Sequence, residues 1–348
     1  MEKTAVLAIT KNGIKIGLKL GASFPGWKIL APIKLSDSST AITWYNESTT
    51  EKIAQIFKEY DAVVCLFSLG AVIRLIAPHL VDKKTDPAVI VIDDRAGFVI
   101  STLSGHIGGA NELALDIAEK LGAVPVITTA ADVNKTIAVD LVGRDMGWVI
   151  DDDSMVTRVS AHMVNEEPIG VLQDAGKRDW CAKLPKNVTI FESLAELDKS
   201  DSKACLVITD MMITPVIESV IYRPPSLVVG VGIHTDTTRD TILKGIKTVF
   251  EKYGLSTKSV AALASIKKPQ DVQGLADAAE ELQIPAEYVN RDDLAEITTP
   301  NPSDTVRAFE GTASVSEAAA IKVSGGRLIV EKQKFPPDLT IAVARIPN

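Results

Sequence analysis

The sequence predicts an α/β protein, with a Rossmann-like N-terminal α/β domain, a central α/β region and a separate C-terminal α/β domain. Three observations carry this prediction. Apolar, β-branched runs such as Ala62–Leu66 and Ala88–Ile92 alternate with amphipathic stretches such as Glu51–Tyr60 and Ala110–Leu121. That alternation marks a sheet built through crossover helices. The 348 residues exceed one ordinary domain of roughly 100–200 residues. Finally, Tyr222-Arg223-Pro224-Pro225-Ser226 reads as a linker, because two prolines end regular structure and stiffen the chain. The expected divisions are 1–135, 136–222 and 227–348.

Taken in order, Thr4–Thr10 and Ile14–Leu18 read as two strands joined by a turn at Lys11-Asn12-Gly13. Glu51–Tyr60 places Ile53, Ile56 and Phe57 on one helical face. Ala62–Leu66 reads as a buried parallel strand. A turn at Ser68-Leu69-Gly70 then leads into a helix from Ala71. Ala88–Ile92 and Val99–Leu103 read as further buried strands. Ala110–Leu121 carries Leu113, Ala114, Ile117, Ala118 and Leu121 on one face, with Gly122 as its stop. Val124–Thr128 reads as the next strand.

Ser154–Val164 reads as a central helix, with strands at Ile169–Gln173, Val188–Phe191 and Ala204–Thr209. Beyond the prolines, Leu227–Gly230 starts a new strand, and Asp236 or Thr237 caps a helix that ends at Gly254. Strands at Val260–Ile266, Arg327–Val330 and Thr340–Arg345 and helices at Gly274–Leu282 and from Val315 complete the pattern.

Composition excludes several function classes. Lys and Arg number 37 against 45 Asp and Glu, a formal net charge of -8. Nucleic-acid binding needs a basic surface, so that partner is not expected. Hydrophobic residues are 46% of the chain, an ordinary globular share. Cys65, Cys181 and Cys205 form no CxxC pair, so neither a disulfide scaffold nor a structural zinc site is expected. The longest apolar run, Ala62–Ile73, is shorter than the about 20 residues that span a bilayer. The start of the chain has no signal-peptide cleavage pattern. A soluble cytoplasmic protein is the expectation, with no membrane partner.

The densest chemical cluster is Leu103-Ser104-Gly105-His106-Ile107-Gly108-Gly109-Ala110-Asn111-Glu112, between a strand and a helix. Glycines permit positive φ and close approach to a ligand. A helix N-terminus offers unpaired N–H groups to an anion. His106 can change charge near neutral pH. The competing interpretation is a tight turn capped by a histidine.

Arg74 and Arg95 each suit a bidentate carboxylate, or else a solvated helix face and a pair with Asp93 or Asp94. Gly70 ends the turn that leads into the helix carrying Arg74. Thr128-Thr129-Ala130-Ala131-Asp132 follows a strand end, where α/β sheets commonly bind ligands, or else forms a polar helix-capping turn. Gly230-Val231-Gly232 lacks the third glycine of a dinucleotide fingerprint. His234 and Glu317 sit at helix starts, where local capping and the helix dipole compete with a ligand role. His79 and His162 have no supporting context. Asp151-Asp152-Asp153 reads as a solvated loop or a helix N-terminus, because three adjacent carboxylates cannot all face one metal ion.

The segments Ser68–Pro78, Lys83–Val89 and Ser101–Ala114, continued by Pro125–Ala130, closely resemble the CbiG family of anaerobic cobalamin biosynthesis. The resemblance resumes at Gly230-Val231-Gly232, Val315–Ala320 and Thr340–Ala344. It departs at Ile233-His234, where family members often carry Cys-Arg. It implies a hydrolase acting on a carbon–carbon bond of cobalt-precorrin-5A. The ring A acetate δ-lactone opens, and C20 leaves with its methyl as acetaldehyde, giving cobalt-precorrin-5B. Cobalt comes with the substrate, so no protein cofactor or metal site is expected.

On this basis His106, Gly108 and Gly109 form the expected catalytic set, as base and oxyanion donors. The expected substrate-binding set is Gly70, Arg74, Arg95, Ser104, Gly105, Asn111, Glu112, Thr128, Thr129, Gly232, His234 and Glu317. A locally positive cleft near Gly105–Asn111 is expected on an otherwise acidic surface. The expected partner is a small tetrapyrrole, with neighbouring pathway enzymes and a homo-oligomer left open. Two alternatives stand beside this one: a non-catalytic tetrapyrrole carrier and a nucleotide-binding α/β enzyme.

Overall fold

The computed structural model describes residues 3–82, 84–268 and 272–348; Lys83 of the sequence resemblance lies outside the described residues. The chain forms two compact units, Met1–Leu141 and Val142–Asn348. Among the described residues, no helix is long and apolar enough to cross a membrane.

The first unit begins with β1 (Thr4–Ala8), α1 (Lys11–Ser23), β2 (Lys28–Pro32), β3 (Ile42–Tyr45), α2 (Thr49–Glu59), β4 (Ala62–Leu66) and α3 (Leu69–Ile76). It continues with β5 (Ala88–Ile92), β6 (Phe98–Leu103), α4 (Ala110–Leu121), β7 (Val124–Val126) and α5 (Ala130–Asn134). The seven strands lie in the order β3-β2-β1-β4-β5-β6-β7. The first five are parallel, β6 runs antiparallel to β5, and β7 runs parallel to β6. The β3-β2-β1-β4-β5 portion is a doubly wound, Rossmann-like sheet.

Three expectations fail here. The hairpin at Thr4–Leu18 is a strand followed by a helix. Thr10 Oγ1 accepts from Gly13 N at 2.9 Å and caps α1. Gly13, Ile14, Gly17 and Leu20 are its buried residues, a helical spacing. A Cβ on Gly13 would lie 3.1 Å from Leu66 O, so the glycine is set by helix-on-sheet packing, not by a turn. Similarly, α3 already begins at Leu69, so Gly70 is helical. The third expected buried strand, β6, is only partly covered, with Phe98 52% exposed.

The second unit carries two five-stranded sheets. The first is built from β8 (Val149–Ile150), α6 (Val156–Val164), β9 (Ile169–Gln173), β10 (Val188–Phe191), α7 (Leu194–Leu197), β11 (Ala204–Ile208) and β12 (Glu218–Arg223), in the order β10-β9-β11-β12-β8. The second takes β13 (Leu227–Ile233), α8 (Arg239–Tyr253), β14 (Val260–Ile266), α9 (Gln273–Glu281) and β15 (Ala286–Val289). It then adds α10 (Arg291–Ala295), α11 (Asp304–Glu310), α12 (Val315–Ser324), β16 (Arg327–Phe335) and β17 (Leu339–Arg345). Its order is β15-β14-β13-β17-β16. The cap of α8 is Thr238 rather than Asp236 or Thr237, and Gly254 ends that helix at φ 63°.

The expected linker is a buried joint. Tyr222 and Arg223 end β12 and are 0% and 1% exposed. Arg223 donates to Met211 O at 2.7 Å and to Asp151 Oδ2 at 2.7 Å. Ser226 Oγ and Arg345 Nη2 both donate to buried Asp210, at 2.8 and 2.5 Å. The prolines end the strand as expected, but a charged network holds the segment inside the unit. Asp151 is therefore an ion-pair residue. Burial pushes its carboxyl up, and Arg223 and Lys258 outweigh that, so it lies below the usual carboxylate range.

Candidate active site

The His106 loop follows β6, and strand direction decides where it sits. Leu103 pairs with Val89, near the start of β5. Ser104 Oγ donates to Asp86 O at 2.9 Å, just before β5 begins. The loop therefore lies at the amino edge of the parallel strands. The end of β7 reaches the same edge, because β7 runs with β6.

Within this loop, Ser104 at φ 55° and Gly109 at φ 76° take the left-handed conformation. Gly105 and Gly108 are required by crowding instead. A Cβ on Gly105 would lie 2.7 Å from Asn111 Oδ1, and one on Gly108 would lie 2.4 Å from Ser104 Cβ. The turn consumes N–H groups expected to face an anion. Gly109 N donates to His106 O at 3.0 Å, Ala110 N to Ser104 O at 3.1 Å and Asn111 N to Gly105 O at 3.0 Å.

Asn111, 6% exposed, ties three elements together. It accepts from Ser101 Oγ at 2.6 Å, and its amide donates to Thr129 Oγ1 at 2.9 Å and Asp132 Oδ2 at 2.5 Å. Asp132 Oδ2 also accepts from His106 Nε2 at 2.9 Å. A carboxylate only accepts, so the hydrogen between them is on Nε2. His106 Nδ1 lies 3.5 Å from Asp140 Oδ1, and the His106 side chain is 13% exposed. This is an asparagine–aspartate–histidine relay with a second carboxylate facing Nδ1. The expected positive cleft is thus corrected: the groups beside the imidazole are carboxylates.

Sequence reading missed Ser101, Asp132 and Asp140. Asp132 ends the Thr128-Thr129-Ala130-Ala131-Asp132 run that had been noted, but nothing local ties Asp140 to it. Thr129 joins the relay, whereas Thr128 and Glu112 are exposed. Glu112 sits in the first turn of α4, where its charge complements the helix dipole.

The structure does not bring Gly70, Arg74 and Arg95 to His106. They follow the carboxyl ends of β4 and β5, the opposite edge of the sheet. Strands of five residues separate these edges by roughly 17 Å. Exposed Arg74 folds back and donates to Gly70 O at 2.9 Å. Arg95 is exposed in a turn, and its backbone N donates to Asp93 Oδ2 at 3.1 Å.

Gly232 and His234 line a cavity of about 700 Å³ in the second unit, at the carboxyl ends of β13 and β14. Glu317 is 0% exposed. It accepts from Asn301 Nδ2 at 2.8 Å, Asn301 N at 3.2 Å and Lys332 N at 3.0 Å. It therefore positions β16 instead of facing solvent. Gly230 and Gly232 have packing reasons: added Cβ atoms would lie 1.8 Å from Ser316 O and 2.3 Å from Thr340 Oγ1. Among the described residues, no group of three His, Cys, Asp or Glu side chains is arranged to hold a metal ion.

Comparison with known proteins follows the chain along its length. The cobalamin synthesis G N-terminal family matches residues 51–132, the cobalamin biosynthesis central region 137–224, and the cobalamin synthesis G C-terminus 227–344. A cobalt-precorrin-5A hydrolase of Priestia megaterium is 39% identical over 99% of this chain and 95% of that protein. The Salmonella typhimurium protein of the same name is 30% identical over 95% of this chain and 94% of its own length. Among solved structures, CobE of the cobalamin (vitamin B12) pathway is 28% identical, covers 36% of this chain and 94% of its own, and has a TM-score of 0.34. With 39% identity to a relative matched over nearly its whole length, the chain is an enzyme of the CbiG family, the cobalamin synthesis G proteins.

Proposed function

We propose that this enzyme hydrolyses cobalt-precorrin-5A, opening the ring A acetate δ-lactone and releasing C20 with its methyl as acetaldehyde to give cobalt-precorrin-5B. The observation that carries the mechanism is the Asn111–Asp132–His106 relay, in a chain 39% identical to a hydrolase of that name. Asp132 holds Nε2–H, which leaves Nδ1 with a lone pair. Nδ1 takes the proton of a water that adds to the lactone carbonyl. Asp140 stands beside Nδ1, where its charge stabilises the imidazolium so formed. Gly108 N–H is the loop's donor for the developing oxyanion, since Gly109 N–H is committed to the turn. In this proposal the metal belongs to the substrate, the chain supplies no cofactor, and the reaction takes place in the cytoplasm.

Incubation with cobalt-precorrin-5A tests it, with mass spectrometry for the ring-opened product and an assay for acetaldehyde. Both products are expected. Binding without either product supports a carrier and rejects the hydrolytic proposal.

A further inference from the structure

The cavity of the second unit uses none of the hydrolytic relay, and its lining is chemically distinct. Lys332 and Lys334 both line it. Both belong to β16 and both border the same cavity. Among the described residues neither makes an ion pair within 4.0 Å, and Lys332 Nζ donates to the backbone carbonyl of Asn301. Burial pushes the Lys332 ammonium below the usual lysine range; buried Glu317 opposes this, and the charge of Lys334 adds to it.

Two acids also line the cavity, and Glu310 is ion-paired with other cations. Glu310 lies 3.8 Å from Lys268 and 3.6 Å from Arg291, and Asp338 Oδ2 accepts from Thr237 Oγ1 at 3.3 Å. Lys332 has the Asn301 carbonyl and the charge of buried Glu317 near it, whereas Lys334 has no ion pair within 4.0 Å among the described residues. Opposite charge is not all that the cavity offers. Val306, Phe309 and Phe335 supply an apolar wall, and Phe309 is 76% exposed. The N-terminus of α12 opens there through Ser314, which is 1% exposed and whose Oγ has no hydrogen-bond partner.

An apolar wall with lysines at its rim suits a ligand with an apolar body and peripheral carboxylates. We propose that this cavity binds the edge of a tetrapyrrole polycarboxylate, with the ring against Phe309 and its carboxylates at Lys332 and Lys334. The ligand class rests on the hydrolase proposal above; the lysine pair and the apolar wall do not.

The test is equilibrium titration of the full chain with a stable cobalt corrinoid polycarboxylate and with its uncharged methyl ester. The carboxylate form is expected to bind about tenfold or more tightly than the ester, a difference of ~1.4 kcal/mol per decade. Lys332→Gln with Lys334→Gln is expected to remove that preference. Lys334→Gln alone, at an exposed side chain, is expected to weaken it and guards against misfolding. Equal binding of ester and acid, or unchanged affinity in both lysine variants, overturns the inference. The two proposals fail separately. Acetaldehyde release with unchanged KM in the lysine variants overturns this site alone. Tight, lysine-dependent binding without acetaldehyde overturns hydrolysis and upholds the cavity.

Discussion

The His106 loop is a glycine-rich junction between β6 and α4, and Gly230-Val231-Gly232 lies within β13 at its packing junction with α12, yet glycine does different work in each. In the loop, Gly105 and Gly108 leave room for Asn111 and Ser104, so that polar side chains can converge on His106. At Gly230, the missing side chain lets α12 lie against β13, with Ser316 O where a Cβ would be. One junction assembles hydrogen bonds and carboxylates at the amino edge of its parallel strands. The other closes a packed interior below a lysine-lined cavity at the carboxyl edge of its own. Glycine spacing marks close approach, and only the neighbours show what approaches.

The largest expected effect tests the loop half of this contrast. His106→Ala should lower acetaldehyde release at saturating substrate by about 10²-fold or more, the usual scale for a positioned general base. Wild-type turnover in a folded variant would remove the loop from the chemistry.

Gly230→Ala tests the packing half. It should destabilise the protein by about 1–3 kcal/mol, as overpacking does, read from urea unfolding. An unchanged midpoint would mean that α12 does not need the glycine. Asp132→Asn should sharpen the loop's role with a smaller loss, about tenfold in kcat, because His106 remains but loses the partner that fixes its hydrogen on Nε2. An unaltered pH profile and kcat would dismiss the relay.

The smallest effect comes from a second carboxylate-held histidine, outside both junctions. His162 contacts Glu167 through Nδ1 and Glu218 at 3.1 Å through Nε2. The Glu167 hydrogen bond raises its pKa above the ordinary histidine value, against partial burial, with Glu218 adding to the rise. A raised pKa contributes stability that is fully present below the unfolded value, about 6.5, and is lost as pH rises through the folded value. His162→Gln should therefore flatten the gain in unfolding free energy seen between about pH 8 and pH 6. A gain of the same size in the variant would exclude His162 as its source.

Legibility in the sequence followed locality. The α4 helix was readable because its buried face repeats at helical spacing and Gly122 takes a left-handed stop at φ 70°. The interior strands Ala62–Leu66 and Ala88–Ile92 were readable because burial on both faces leaves continuous apolar runs. The α1 helix was misread because Lys11-Asn12-Gly13 has turn chemistry, while its packing partner, Leu66, lies far along the chain. For the site, His106 and Asn111 stood out inside one dense loop. Asp140 did not, since no local pattern sets its distance from the ring. His162 was passed over for the same reason, since it lies on α6 and its partner Glu218 on β12.

The sequence by itself determined the α/β class, the two ends of α4, the interior strands and the loop that holds His106. These depend on side-chain periodicity and backbone preference over a few residues. Tertiary structure alone decided that β6 runs antiparallel to β5, which places His106 on the opposite edge from Arg74 and Arg95. It alone placed carboxylates around the imidazole and lysines around the second cavity. Strand direction and charge neighbourhood arise from pairing between distant segments, and no spacing along the chain records that pairing.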